Sequence, residues 1–440
     1  MRNVKLSKFW GTLRSSYWFL PGLMAVAGMA LAFGMLALDQ AEAIKTGELS
    51  WIYRGGPEGA RGLLSAVASS MVTVAATAFS ITIVALQLAA SNFGPRLLRN
   101  FMQDTGNQIV LGTFIATFLY CLLVLRTIHG EDYNLFVPQL SVTIGIVLAI
   151  ASIGVLIYFI HHASTIIQAS HVIAGVADEL DDAIDRLFPE EMGQAAPEKH
   201  PAIAATPEDF DVQAYFIRST HTGYLQAIDD QLLLKLACKY NLLLRLTTKP
   251  GDFIAKGDCL VLAYPEKQVN PKMIHDINQA FLMGKERTEQ QDIEFPINQL
   301  VEIALRAISP GINDPFTAVR CIDRLSAGLS RLAERQFPSA YRYDTNHTLR
   351  VMAEPIAFEQ LIDTAFNQIR HYGKSDIAVT LRLLKAIAQI ASHTHRPRDQ
   401  IALEQQAEMI VQGSREGLSQ QRDRQIVEDL YRQIIETWRT

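Results

Sequence analysis

Ser65, Ser69, Thr73, Thr77, Ser80, Gln87 and Ser91 recur at steps of three, four or seven along an uncharged run from Gly62 to Pro95. At about 100° per residue they share an arc of roughly 120° on a helix, with Val72, Phe79, Ile83 and Leu86 turned away. A run this apolar belongs in a lipid bilayer, where every polar group needs a partner. Hydroxyls in that setting either bond one helix to another or line a wet path, standing in for part of an ion's hydration shell. Gln87 tips the balance toward a path, because an amide is costly to bury unpaired. No Asp, Glu, Lys or Arg falls within any predicted span. That argues against a proton relay or a charge-coupled transporter and leaves passive conduction through Ser69, Thr73, Thr77, Ser80, Gln87 and Ser91.

Other residues carry weaker chemistry. Arg96 and Arg99 follow the run directly; they are positive-inside anchors or, around a pore, a basic ring at its inner mouth. His161 and His162 close the fourth apolar stretch, as interfacial anchors or as a pH- or metal-sensitive gate. Neighbours on a helix diverge by about 100°, so both cannot face one point. Asn313-Asp314-Pro315 follows a helix break at Ser309-Pro310-Gly311. Asp314 suits an N-cap and Pro315 the first helical position; the alternative is a ligand or subunit contact at Asn313 and Asp314. Phosphate loops, dinucleotide fingerprints and HExxH are missing, and His393-Thr394-His395 has no acidic or cysteine partner at ligand spacing. No enzyme activity, cofactor or metal is expected.

These residues need elements to hold them. The chain has 440 residues, room for two to four domains, and its charge is concentrated beyond residue 178. Four transmembrane helices are predicted at about 18–38, 63–93, 105–125 and 138–161, within a transmembrane domain 1–165. The first is too long for a signal peptide's apolar core and lacks a small-residue cleavage site, so it reads as a retained span. With the N-terminus inside, Arg2, Lys5, Lys8, Arg14, Arg96 and Arg99 lie on the cytoplasmic side, against Lys45, Arg54, Arg61 and Arg126 outside. The margin favours both termini in the cytoplasm. The formal net charge of −5 carries no basic stripe, so no nucleic-acid partner is expected. Four scattered cysteines suggest neither disulfides nor zinc.

After His162 an amphipathic pattern runs on through Leu187, suited to packing beside symmetry mates, and prolines between 189 and 207 mark a linker, giving a segment 166–210. Residues 211–268 read as a small β-rich module. Gly251-Asp252 and Gly257-Asp258 resemble the hairpin of lipoyl-like barrel-sandwich modules, without the methionine-flanked lysine turn of those that carry a cofactor. A structural module, unmodified at Lys249 and Lys256, is expected. Residues 269–440 read as helical throughout, with a buried stripe at Phe316, Val319, Ile322, Leu325, Leu329 and Leu332. The fold class is therefore a polytopic α-helical membrane protein with four transmembrane helices and a cytoplasmic α+β region.

Six segments in order are familiar: Ser15–Pro21, Phe79–Gln87, Ser91–Arg99, Tyr158–His162, Gly223–Asp229 and Ser309–Ala318. Together they resemble a family of predicted bacterial inner-membrane proteins known only as a domain of unknown function, across nearly the whole chain. The resemblance implies a bacterial membrane protein with a cytoplasmic C-terminal half, and supplies no activity. The functional expectation is a homo-oligomeric inner-membrane channel that conducts ions, with the second span lining the path and the C-terminal half as vestibule or gate. A non-conducting scaffold or ligand sensor is the alternative.

Overall fold

The computed structural model describes residues 17–41, 52–94, 104–129, 136–166, 168–188 and 206–439. Residues 1–171 and 172–440 form two compact units. Among the described residues, four helices are long and apolar enough to cross a membrane. They are α1 (Phe19–Gln40), α2 (Pro57–Phe93), α3 (Thr105–Thr127) and α4 (Gln139–Ile166).

Within the membrane unit α3 is the most buried helix, packed by α1, α2 and α4. Its Phe114, Tyr120, Cys121 and Val124 are buried against Leu64 and Met71 of α2 and Val142 and Phe159 of α4. Lipid tails are as apolar as these side chains, so close packing and interhelical hydrogen bonds must supply the cohesion. Gly28 of α1 provides such an approach: a Cβ built there would lie 2.8 Å from the Ala116 carbonyl oxygen of α3. The polar ties are specific. Tyr120 donates to the Ser141 carbonyl at 2.8 Å, and the Thr117 and Ser152 hydroxyls meet at 3.2 Å. Asp39, at the end of α1, accepts from the Leu140 and Ser141 amides at 3.0 and 2.9 Å and from the Ser141 hydroxyl at 2.6 Å. One carboxylate thus satisfies orphan donors at the start of α4 while fixing α1 beside it.

The C-terminal unit is mostly helical with two sheets. Its elements run α5 (Ala169–Leu187), α6 (Phe210–Gln213), β1 (Tyr215–Arg218), β2 (Gly223–Ile228), α7 (Asp230–Lys239), β3 (Leu243–Leu246), β4 (Phe253–Ile254) and β5 (Cys259–Tyr264). There follow α8 (Pro271–Asn278), β6 (Phe281–Gly284), α9 (Glu294–Ala307), α10 (Pro315–Glu334), β7 (Tyr341–Tyr343) and β8 (Leu349–Met352). The chain closes with α11 (Phe358–Gly373), α12 (Ile377–Ser392), α13 (Pro397–Gly417) and α14 (Gln421–Arg439). The α10 stripe holds for Ile322, Leu325, Leu329 and Leu332, which are inaccessible to solvent or nearly so, but it is corrected at its start: Phe316, in the first turn of the helix, is largely exposed and Val319 only half-buried.

The barrel-sandwich expectation is corrected. β4 and β5 flank Gly257-Asp258 but do not pair with each other. β4 pairs with β2 in a three-stranded sheet ordered β4-β2-β6, while β5 lies between β1 and β3 in a five-stranded sheet ordered β1-β5-β3-β8-β7. The Asp258 side chain accepts from the Ala255 amide and its carbonyl from the Ser219 amide, each at 2.8 Å. That turn hands the chain from one sheet to the other, so among the described residues no barrel closes. Lys256 sits in the turn, between strands of different sheets.

The reading of 269–440 as wholly helical is corrected too, by β6, β7 and β8. β8 joins β3 in parallel, Leu244 opposite Val351, over a separation no local pattern reveals. The β7–β8 turn is built on Asp344, which accepts from the Asn346 and Thr348 amides at 2.8 and 2.9 Å and from Arg350 Nε at 2.8 Å. The Arg350 bond and those amides hold the Asp344 carboxyl below the usual carboxylate range. The amphipathic α5 packs within its own unit. Asp181 pairs with Arg331 at 2.5 Å and Asp185 with Arg335 at 2.6 Å, so its acidic face meets the basic C-terminal end of α10 and the residue that caps it.

Candidate functional site

The two faces of α2 divide cleanly. Leu64, Ala68, Met71, Ala78, Ala85 and Ala89 are buried against the rest of the bundle. Ser65, Ser69, Thr73, Thr77, Ser80, Gln87 and Ser91 are all exposed. At about 100° per residue the polar set is centred roughly opposite the buried set. Alanine explains the division, since small residues let α2 lie close to α3 and α4 while the hydroxyls point off the bundle. The sequence reading is corrected in one respect: Val72, Phe79 and Ile83, expected to turn away from the polar stripe, are exposed beside it.

The hydroxyls bond within their own helix. Thr73 donates to the Ser69 carbonyl at 3.0 Å, Thr77 to Thr73 at 2.9 Å, Ser80 to Ala76 at 2.9 Å and Ser91 to Leu88 at 2.9 Å. Such back-bonding consumes the donor and leaves the oxygen lone pairs directed outward as acceptors. A row of outward acceptors along a helix can coordinate cations or water, or accept from another helix. The apolar span of α2, Pro57–Ser91, has 35 residues; at 1.5 Å per residue that is about 53 Å, well beyond a hydrocarbon core of about 30 Å.

At the other end of the sequence's candidates the structure separates what adjacency had joined. His161 is exposed, whereas His162 turns inward and its Nε2 lies 2.7 Å from Asp104 Oδ2. The same Asp104 oxygen accepts from the Asn107 amide at 2.8 Å as the N-cap of α3. Tyr158 stacks on the His162 ring with centroids 5.2 Å apart. Gly106 makes room for both: a Cβ there would stand 2.7 Å from His162 Nε2 and 2.8 Å from the Tyr158 hydroxyl. Asp104, Tyr158 and Gly106 were not singled out from the sequence. The Asp-Thr-Gly-Asn start is a legible cap, but its tie to a histidine 58 positions later is not. Arg96 and Arg99 lie outside the described residues.

Asn313 and Asp314 belong to the C-terminal unit. Asp314 Oδ1 accepts from the Thr317 amide at 3.2 Å and Oδ2 from its hydroxyl at 2.6 Å, while the Asp314 amide donates to the Ala307 carbonyl at 2.7 Å. Asn313 takes the left-handed backbone at φ 52°, which asparagine tolerates better than most residues. Both Asp314 oxygens are spent on the helix start. Asp314→Ala is therefore expected to cost about 1 kcal/mol, the scale of a lost N-cap. The full-length chain in detergent should melt slightly earlier with unchanged particle size; an unchanged melt with lost activity would point to a ligand contact instead.

Uncharacterized protein Mb1321c of Mycobacterium bovis and uncharacterized protein Rv1290c of Mycobacterium tuberculosis are each 33% identical over 422 residues, spanning 94% of this chain and 79% of theirs. No solved structure matches. The family described as "Predicted membrane protein (DUF2254)" matches residues 14–389, which takes in all four apolar helices, both sheets and most of the C-terminal helices. By that match the chain belongs to the DUF2254 family of membrane proteins.

Proposed function

We propose that the protein is a homo-oligomeric channel of the bacterial inner membrane, with both termini cytoplasmic and α2 lining the path. The observation that carries this reading is the orientation of α2. Its alanine face is spent on the bundle, and its polar stripe with Gln87 is left on the outside of a single chain. A lone protomer would turn that stripe to lipid, where Gln87 would lack partners at a cost of several kcal/mol. Copies arranged about an axis turn it inward, toward one another and toward water. The back-bonded hydroxyls then offer acceptor oxygens to a passing cation, the chemistry of a passive pore. Arg96 and Arg99 follow the stripe in sequence and would set the charge of the inner mouth. His162, held by Asp104, sits near the same end of α4 as a gating element. The C-terminal units would form the vestibule.

The back-bonding also supports a second reading. Hydroxyls already satisfied by their own helix need no water, and the stripe could then serve only to bond copies into a non-conducting scaffold or sensor. Purified full-length chain in planar bilayers separates the two: unitary currents are expected for the channel and a silent membrane for the scaffold.

Topology has its own test. Reporter fusions at Gly47 and Asn134 should report the outside and one after Thr440 the cytoplasm, following the positive-inside balance. A cytoplasmic signal at Gly47 would invert the first hairpin and overturn the four-span arrangement.

A further inference from the structure

The C-terminal unit carries a partly open cavity of about 410 Å³, within the size range of small-molecule sites. Its floor is apolar and drawn from the sheets and their neighbours: Ile228 of β2, Leu233 of α7, Leu246 of β3 and Val351 of β8. Part of its charged wall is already spent. Lys249 Nζ lies 3.3 Å from Glu294, and Arg287 Nη2 lies 2.7 Å from Asp292. Burial pushes the Asp292 carboxyl above its ordinary range while the Arg287 charge pulls it back.

The rim is different. Asp230 begins α7, and one of its oxygens accepts only from the adjacent Gln231 amide at 2.8 Å. Glu354 follows β8 and is exposed. Arg342 of β7 donates through Nη1 to the Ser339 and Tyr341 carbonyls, which leaves Nε and Nη2 uncommitted among the described residues. Arg186 gives Nε and Nη2 to the Gln290 and Glu289 carbonyls, at 3.1 and 2.6 Å. Two carboxylates and two guanidinium groups with spare capacity therefore border one apolar floor.

We propose that this cavity binds a small zwitterionic organic molecule with an apolar body, of amino-acid or dipeptide size. Its carboxylate would meet Arg342 and Arg186, and its ammonium would meet Asp230 and Glu354. The charges decide the class. A polyanion such as a nucleotide would meet four lining carboxylates, Asp230, Asp292, Glu294 and Glu354, against three lining cations. A neutral apolar ligand would desolvate rim charges and return nothing for them. A singly charged ligand would leave one sign unmatched. A zwitterion pairs both signs and buries its side chain on the floor, with charge-assisted hydrogen bonds fixing its orientation. The site is independent of whether α2 conducts.

The test is thermal melting of the full-length chain in detergent, titrated with each of the common L-amino acids and with leucyl-leucine. At least one should raise the melting temperature saturably. Its N-acetyl derivative, which lacks the ammonium, and its amide, which lacks the carboxylate, should each bind at least about tenfold more weakly, a difference of about 1.4 kcal/mol. Arg342→Gln and Asp230→Asn lie on the exposed rim, so both should fold as the parent does while each weakens the zwitterion by a similar factor. No saturable shift from any probe would overturn the proposal. So would equal binding of the blocked derivatives, or undiminished binding by the Arg342→Gln, Asp230→Asn double variant.

Discussion

Thr77→Leu and Ser80→Leu are expected to cut unitary current by about tenfold each, the effect of raising a permeation barrier by about 1.4 kcal/mol. Both residues sit mid-way along the exposed polar face of α2, with their hydroxyls back-bonded to Thr73 and Ala76. Leucine removes the outward acceptor and adds bulk, so it both dries and narrows a path. A chemical map should give the same face. In a chain freed of Cys121, Cys238, Cys259 and Cys321, single cysteines at Ser69, Thr73, Thr77, Ser80 and Gln87 should react with small water-soluble thiol reagents. Cysteines at Ala78 and Ala85, buried against the bundle, should resist them. So should Val72, Phe79 and Ile83, which flank the stripe and would face lipid, where little thiolate forms. The structure sharpens this contrast, because Ala78 and Ala85 supply a face buried against the bundle as a control. If both faces were equally protected and no current flowed, the stripe would be a helix-to-helix contact and the scaffold reading would stand.

The membrane spans were legible because an uncharged run of about 20 residues has few alternative fates. The Asp314 cap and the α10 stripe were legible for a similar reason: a cap and a 3.6-residue period are local signals. What the sequence could not fix was which side of α2 meets the bundle. Val72, Phe79 and Ile83 are the bulkier residues, and in water they would have marked the buried face. In lipid the rule inverts, because small residues allow close approach and large apolar ones face the tails. The alanines at 68, 78, 85 and 89 were the informative set. The sheets failed for another reason. β4 has only two residues, and β7 and β8 have three and four. Strands so short carry no period, and the pairing of Leu244 with Val351 depends on chain separated by more than a hundred positions. The Gly-Asp repeat, read as a hairpin, was a real turn signal, but its turn joins strands of two different sheets. Likewise, His162 could be placed at a helix end from sequence, but Asp104 as its partner could not.

Gly28→Val is expected to destabilise the membrane unit by more than about 3 kcal/mol, the upper range for forcing bulk into a closed contact. A Cβ at this position would stand 2.8 Å from the Ala116 carbonyl oxygen, 3.0 Å from its Cβ and 3.1 Å from its Cα. Two of those atoms are backbone, and no side-chain rotation can relieve them. The helices would have to part, and α3 cannot retreat freely because α2 and α4 pack against it as well. Separation would also strain the Asp39 bonds to Leu140 and Ser141, which tie the far end of α1 to α4. Gly34 lies on the same helix with nothing within 4 Å of its Cβ position. Gly34→Val therefore makes the same change in helix propensity without the clash. Full-length Gly28→Val in detergent should melt well below the parent or fail to accumulate in the membrane, while Gly34→Val should stay close to it. Equal melting of the two variants would mean that α1 and α3 do not meet at Gly28. If Gly28→Val also lost the reactivity pattern along α2 while Gly34→Val kept it, the stripe would depend on the bundle that holds it, since α1 and α2 both pack on α3.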